Sequence, residues 1–316
     1  MISNPFFMRL FLLFSVLFFA ASCSDSQNRK AAALYNKTFK EPGGSKFTEF
    51  KPDTVADIPD GTNERSPIFI KSRLEKLIGK SYKQRCREIN INYPPSYILF
   101  RFFKEEKEFE IWAANKRSDT LKLLALLPVC AVDDEAGTKL QQGDGKTPEG
   151  FYSCKILYGS NNGFMWVKLN TGEIDNFGSV GYGSSFKLCL DYPLKIDRNR
   201  TRKVLGNANP GGAICIHGNC VTAGCISFRN RNFLPVFLSA RFHNTKTYGY
   251  PGIHIFPFRF SNKNKKEISQ KTKSEMAPEQ LILFWSELEK AYTLFEKNRK
   301  ALKVSFTGNK YLFSEY

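Results

Sequence analysis

From Tyr97 to Phe256 the apolar residues come in short runs, each closed by turn residues, and this constrains the fold more than any other feature. Tyr97–Phe103 and Phe109–Trp112 flank the charged turn Lys104–Glu108, the pattern of a β-hairpin. Further strand-like runs lie at Leu121–Val132, Gly150–Ile156, Trp166–Leu169, Ala213–His217 and Gly252–Phe256. Helical spacing brackets and interrupts them. Ser66 and Pro67 supply an N-cap and a first-turn proline, Ile70, Leu74, Leu77 and Ile78 follow, and Gly79 is the expected stop. A helix is expected over Asn232–Arg241. Past Pro278 an amphipathic helix carries Leu281, Phe284, Trp285, Leu288, Tyr292 and Phe295 on one face. Asn262–Lys273, with five lysines, reads as a solvated loop, and Lys303–Phe306 with Tyr311–Phe313 around Gly308-Asn309 as a closing hairpin. The expectation is a mainly β, α+β fold with flanking N- and C-terminal helices. With 42% hydrophobic and 24% charged residues, and 29 Phe, the chain of 316 residues has material for a sizeable core and is not a disordered polymer.

The first residues bear on compartment. Met1–Ser22 carries Arg9 as its one charged side chain, then the apolar run Leu10–Ala21, then small residues leading into Cys23. That is the pattern of an export signal, and the cysteine directly after it suggests a lipoprotein signal in which Cys23 is lipidated. The protein is therefore expected in the cell envelope, facing the periplasm, with a membrane partner through its lipid. Cys23–Asn63 is polar and broken by Pro and Gly, as a flexible tether would be. The expected organisation is 1–22 signal, 23–63 tether, 64–120 helix plus hairpin packed on a catalytic domain, 121–260 catalytic domain, and 261–316 basic loop, helix and hairpin. The net charge of +17 suits anionic wall polymer and lipid headgroups; export removes nucleic acid as a partner.

The densest reactive cluster is Cys215-Ile216-His217-Gly218-Asn219-Cys220, continuing to Gly224-Cys225. Three chemistries fit it. In one, Cys225 is a thiol nucleophile and His217, ending an apolar strand, is its base, with backbone N–H groups at Gly224 and Cys225 facing an oxyanion. In the second, Cys215, His217, Cys220 and Cys225 bind zinc, although no paired Cys-x₂-Cys knuckle is present. In the third, Cys215 is core, Cys220 is a disulfide partner or buried thiol, and His217 is a hydrogen-bonded strand residue. His254, inside an apolar strand, reads as structural. Cys86, Cys130, Cys154, Cys189, Cys215 and Cys220 can pair in about fifteen ways, and spacing does not choose among them.

Ile216-His217-Gly218 followed by Gly224-Cys225-Ile226 resembles the active-site signature of the L,D-transpeptidase (YkuD-type) cysteine enzymes of peptidoglycan. The wider chain resembles their YafK-like branch: Gly143-Asp144-Gly145-Lys146-Thr147-Pro148-Glu149-Gly150-Phe151-Tyr152, Asp191-Tyr192-Pro193, Asp197, Gly211-Gly212, Ile255-Phe256-Pro257-Phe258-Arg259 and the Phe284–Glu296 helix occur in order. The resemblance implies a β-sandwich or barrel-like catalytic domain, Cys225 as nucleophile, His217 as general base and acid, Gly224 and Gly218 as active-site backbone, and no metal or cofactor. It implies peptidoglycan stem peptides, or proteins attached to them, as partners. Thr222-Ala223 and Ser227 depart from the commoner pattern. Ser227 stands where an arginine credited with binding the substrate carboxylate is frequent, and Arg229 is the nearby substitute candidate. The implied activity is acyl transfer through a Cys225 thioester, ending in L,D-transpeptidation or hydrolytic release of an attached protein. A non-catalytic wall-binding lipoprotein and a Cys/His zinc module are the alternatives.

Overall fold

The computed structural model describes residues 46–50, 67–133, 136–158, 186–218, 220, 222–247, 249–261 and 264–316. The signal, Cys23 and the run Trp166–Leu169 lie outside them, as do Ser66 and most of the expected tether. The one described piece of that tether, residues 46–50, does not hang free: Thr48 N–H donates to Leu126 O (2.8 Å) and Leu126 N–H to Thr48 Oγ1 (3.1 Å). An edge strand offers unpaired backbone groups, and Thr48 takes two of them.

Among the described residues eight strands make one sheet: β1 (Tyr97–Phe103), β2 (Glu108–Ala114), β3 (Lys122–Pro128), β4 (Gly150–Tyr158), β5 (Phe186–Leu190), β6 (Cys215–His217), β7 (Ile226–Ser227) and β8 (Gly252–Phe256). Their order is β3-β2-β1-β8-β4-β5-β6-β7. The ends approach each other: Ala131, just past β3, forms an antiparallel bridge with Ser227 of β7, and the Cys130–Cys220 disulfide stands beside it. The sheet therefore curls nearly to closure, within the mixed α+β class expected.

One face of the sheet is the main core. Ile98, Phe100, Phe102, Phe109, Ile111, Tyr152, Cys154, Leu188, Leu190, Ile216, Ile253 and Ile255 project into it. Helices α1 (Pro67–Glu88) and α3 (Asn230–Thr247) supply its other side, joined by a hydrogen bond between the Tyr82 hydroxyl and Ser239 Oγ (2.7 Å). By the two-residue period of strands, Tyr97, Leu99, Arg101, Phe103, Phe151, Gly252, His254 and Phe256 face the other way. Over the Phe103, Phe151 and Phe256 part of that outer face lie α5 (Pro278–Asn298) and the two-stranded hairpin of β9 (Leu302–Thr307) and β10 (Lys310–Glu315).

Three expectations are corrected. Gly79 does not end α1; the helix runs to Glu88 because Ile78, Tyr82 and Cys86, at four-residue steps, are buried against the core, which outweighs the glycine penalty. Asn262–Lys273 is not simply a loop: α4 (Lys265–Lys271) forms there. Asn264 caps it by accepting from Glu267 N–H (3.2 Å), Lys271 pairs with Glu267 (2.6 Å), and Ile268 joins the α5 core. Finally, α3 extends six residues beyond Arg241, to Thr247, where His243 Nδ1 accepts the Ile98 N–H (3.0 Å). Strand β5, strand β7 and helix α2 (Lys195–Leu205) carry no pattern that marks them in the sequence.

Candidate active site

Strands β6 and β7 run parallel, pairing Ile216 with Ile226 and His217 with Ser227. Both isoleucines enter the core, so Cys215 and His217 project on the opposite face, and the parity of β7 sets Cys225 on that face as well, one row back from His217. The Cys225 sulfur lies 3.4 Å from the Cys215 N–H, which donates to it, and 3.7 Å from Ala213 O. In the His217 ring, Nδ1 lies 2.6 Å from Gly218 O. A carbonyl only accepts, so that contact requires Nδ1 to carry the proton and leaves Nε2 with the free lone pair. Among the described residues no hydrogen bond joins sulfur and imidazole directly.

The turn before Cys225 is fixed from two sides. Thr222 Oγ1 accepts from Gly224 N–H (3.0 Å) and donates to Cys225 O (2.5 Å). Gly224 has φ +112°, and a Cβ there would lie 2.8 Å from Lys146 O, so glycine is required by conformation and by space. Its carbonyl accepts from Thr147 Oγ1 (3.0 Å). The Gly143–Glu149 loop behind it is tied together by Asp144, which accepts from Leu140, Gln141 and Lys146 N–H and pairs with Lys139 (2.6 Å). The Gly224 amide is committed to Thr222. Gly218 serves through its carbonyl, which receives both the imidazole and Ser227 Oγ (3.2 Å).

Burial dominates the titration of both groups. It pushes the Cys225 thiol up, against the Cys215 N–H and the charges of Lys187 and Lys139. It pushes His217 down, the Gly218 carbonyl opposing and Lys187 reinforcing. The resting pair is accordingly a thiol and a neutral imidazole, the state in which imidazole is a base. Sequence reasoning missed Lys187 because β5 itself was not legible. It lies directly opposite His217 on the neighbouring antiparallel strand. Arg229 sits past the end of β7, where its carbonyl accepts from Asn232 and Phe233 N–H (both 3.0 Å) and opens α3. Ser227 is fully buried and engaged with Gly218, so it is no substrate contact.

Two of the four sulfur or nitrogen ligands required by the zinc alternative are consumed. Cys215 is bonded to Cys189, its register partner on β5, and Cys220 to Cys130. A disulfide sulfur is not a thiolate ligand, so the cluster does not present the donor set that zinc needs.

The described residues bring a thiol and a neutral imidazole to one face of a curled sheet, backed by a glycine-dependent turn. No family model matches the chain. Over 240 residues it is 26% identical to "Putative L,D-transpeptidase YafK" of Escherichia coli K12, covering 75% of this chain and 79% of that protein; the O157:H7 protein of the same name gives the same figures. The chain is thus similar to YafK over three quarters of its length, in line with the resemblance its motifs suggest. Among solved structures, the helical cell shape determining protein Pgp2 of Campylobacter jejuni overlaps at TM-score 0.32 and 16% identity, covering 74% of this chain and 92% of that one. Bdellovibrio bacteriovorus Bd1075 overlaps at 0.32 and 17%, covering 69% and 76%. Overlaps this loose carry no argument.

Proposed function

We propose that the protein is a peptidoglycan-modifying cysteine acyltransferase acting on stem peptides. The observation that carries this is that His217 ends β6 and Cys225 leads directly into the paired strand β7, with the Nδ1 contact to Gly218 O leaving Nε2 as the free base. Relatedness to YafK supports the substrate class.

The reaction requires the Cys225 side chain to leave Ala213 O and meet Nε2. His217 takes the proton as sulfur attacks the carbonyl of the diamino-acid residue, and the Cys225 N–H stabilises the oxyanion. The imidazolium returns its proton to the departing amine, leaving a thioester. An amine of another stem resolves it to a cross-link, a protein lysine to an attachment, and water to a free acid; on a protein-linked stem, hydrolysis releases that protein. Transpeptidation and hydrolytic release use the same residues up to the thioester. The lipid anchor at Cys23, which would hold the enzyme at a membrane facing the wall, belongs to the same proposal and rests on the N-terminal sequence pattern alone.

The test is incubation of purified protein and its Cys225→Ala variant with muropeptides, followed by mass spectrometry. Expected are a thioester adduct on Cys225 and loss of a terminal residue, new dimers, or release of a linked protein, all absent from the variant. Equal turnover by Cys225→Ala overturns the assignment.

A further inference from the structure

A cavity of about 530 Å³ opens on the outer face of the sheet, apart from Cys225. Its floor is Leu99, Phe151, Ser153, Gly252 and His254, from β1, β4 and β8, and its walls include β9, β10 and the chain around Tyr250. The volume is that of a small-ligand site. Rings stand around it, from buried Phe151 and Tyr311 to partly exposed Phe306, Tyr316 and Tyr250. Ser96, Ser153 and Thr247 interleave hydroxyls with those rings, and Asp191 is the one carboxyl among the described lining residues. At the floor, His254 is 96% buried (4% exposed), and its Nδ1 has no hydrogen-bond partner among the described residues. Flat apolar rings interspersed with hydroxyls and an unsatisfied imidazole nitrogen suit a ligand with apolar C–H faces and a rim of polar groups. That is the chemistry of a sugar ring bearing acetamido substituents.

The register ties this cavity to the catalytic pair. Ser153 and Lys155 lie on the same outer face of β4; Lys155 pairs with Cys189 of β5, Cys189 with Cys215 of β6, and Lys187 with His217. From Ser153 to Cys215 on β6 is two strand spacings across and one two-residue step along, together about 12 Å, and the Cys225 sulfur lies within 3.4 Å of the Cys215 N–H. An extended peptide covers that in three or four residues at about 3.5 Å each. Lys155 and Lys187 stand along the way as cations for peptide carboxylates.

The geometry points to a saccharide subsite: the cavity holds the amino-sugar end of a muropeptide while its stem peptide runs over Lys155 and Lys187 to place the carbonyl of the third residue at Cys225. This rests on the peptidoglycan reading above and specifies it further.

The experiment compares the stem tetrapeptide with and without its N-acetylglucosaminyl-N-acetylmuramoyl disaccharide, on wild type, Tyr250→Ala and Phe306→Ala. Both rings are exposed, 46% and 36%, so their removal leaves the core intact. Expected is a five-fold or larger rise in KM for the disaccharide substrate, with kcat and the free tetrapeptide unaffected. Equal effects on both substrates, or none on either, overturn the subsite. In parallel, the disaccharide alone is titrated into folded Cys225→Ala protein by NMR. Binding that weakens in the added Tyr250→Ala variant supports the subsite, and absence of binding overturns it. Should wild type turn over neither peptide, the enzymatic reading falls while the titration still decides the cavity.

Discussion

Lys187 and His217 stand directly opposite each other on adjacent antiparallel strands, so a lysine side chain shares the face and the row of the imidazole. Its charge lowers His217 and counters the upward push of burial on Cys225. Removing it in Lys187→Met raises both values. The acidic limb of the pH–rate profile, set by the base losing its proton, moves to higher pH, and iodoacetamide alkylation of Cys225 at neutral pH slows about two- to tenfold. Lys187→Arg retains both. Unchanged profiles in the methionine variant contradict the electrostatic role.

Gly224→Ala is expected to disrupt the turn that presents Cys225. The new Cβ meets Lys146 O at 2.8 Å and the residue is held at φ +112°. The expected cost is about 1–3 kcal/mol in urea unfolding, with a larger loss of turnover than of stability, because the sulfur moves.

The Cys130–Cys220 bridge joins residues 90 apart, linking the chain after β3 to the loop between His217 and Cys225. Replacing both by alanine is expected to lower stability by about 2–5 kcal/mol and to speed hydrogen exchange at the Ala131–Ser227 bridge, where the sheet ends meet. Exchange unchanged there, with only global stability lowered, shows that the bridge acts on the unfolded chain alone.

Lys104 is fully buried among Gly137 O (2.9 Å), Thr147 O (3.4 Å) and the equally buried Glu149 (3.4 Å). Glu149 also accepts from Trp285 Nε1 (2.9 Å), so the pair fastens the Thr147 loop to α5. Lys104→Met leaves a buried carboxylate without its cation and is expected to cost about 3–5 kcal/mol. Since Thr147 holds Gly224, Cys225 labelling should become heterogeneous. A variant as stable as wild type contradicts the assignment.

Acid should destabilise the fold before its carboxylates are neutralised. Burial, aided by Arg117, pushes His243 down to about 4; burial, aided by Arg101, pushes His254 down to about 3. The unfolded chain binds those protons near pH 6.5, so stability is full at neutral pH and is lost as pH falls through 6.5 toward 4. His243→Gln, which keeps an acceptor for Ile98 N–H, should narrow the difference in urea stability between pH 7.5 and 4.5 by about 2 kcal/mol. An unaltered difference removes His243 as the cause.

Local pattern was sufficient where an element announces itself. The β1–β2 hairpin, β8, α5 and the closing hairpin fall where period and turn residues put them, since each buries a face written into adjacent residues. It failed where burial depended on distant partners. Gly79 is helical because α1 packs on α3, and β5 is a strand because β4 and β6 flank it. For the candidate site, Gly224-Cys225 and His217 were legible as reactive residue types at a meaningful spacing. Lys187, Thr147 and Thr222 were not, because each acquires its part only from what it touches.

The order of residues by itself determined the reagents: a thiol, an imidazole and a glycine between them, set among short apolar strands. The tertiary structure alone decided their state, because pairing of β6 with β7 fixes the shared face, burial keeps sulfur protonated and imidazole neutral, and register brings a lysine opposite the imidazole. It also selected the disulfides, Cys130–Cys220 and Cys189–Cys215, since proximity across a sheet depends on register and closure, which no local run of sequence contains.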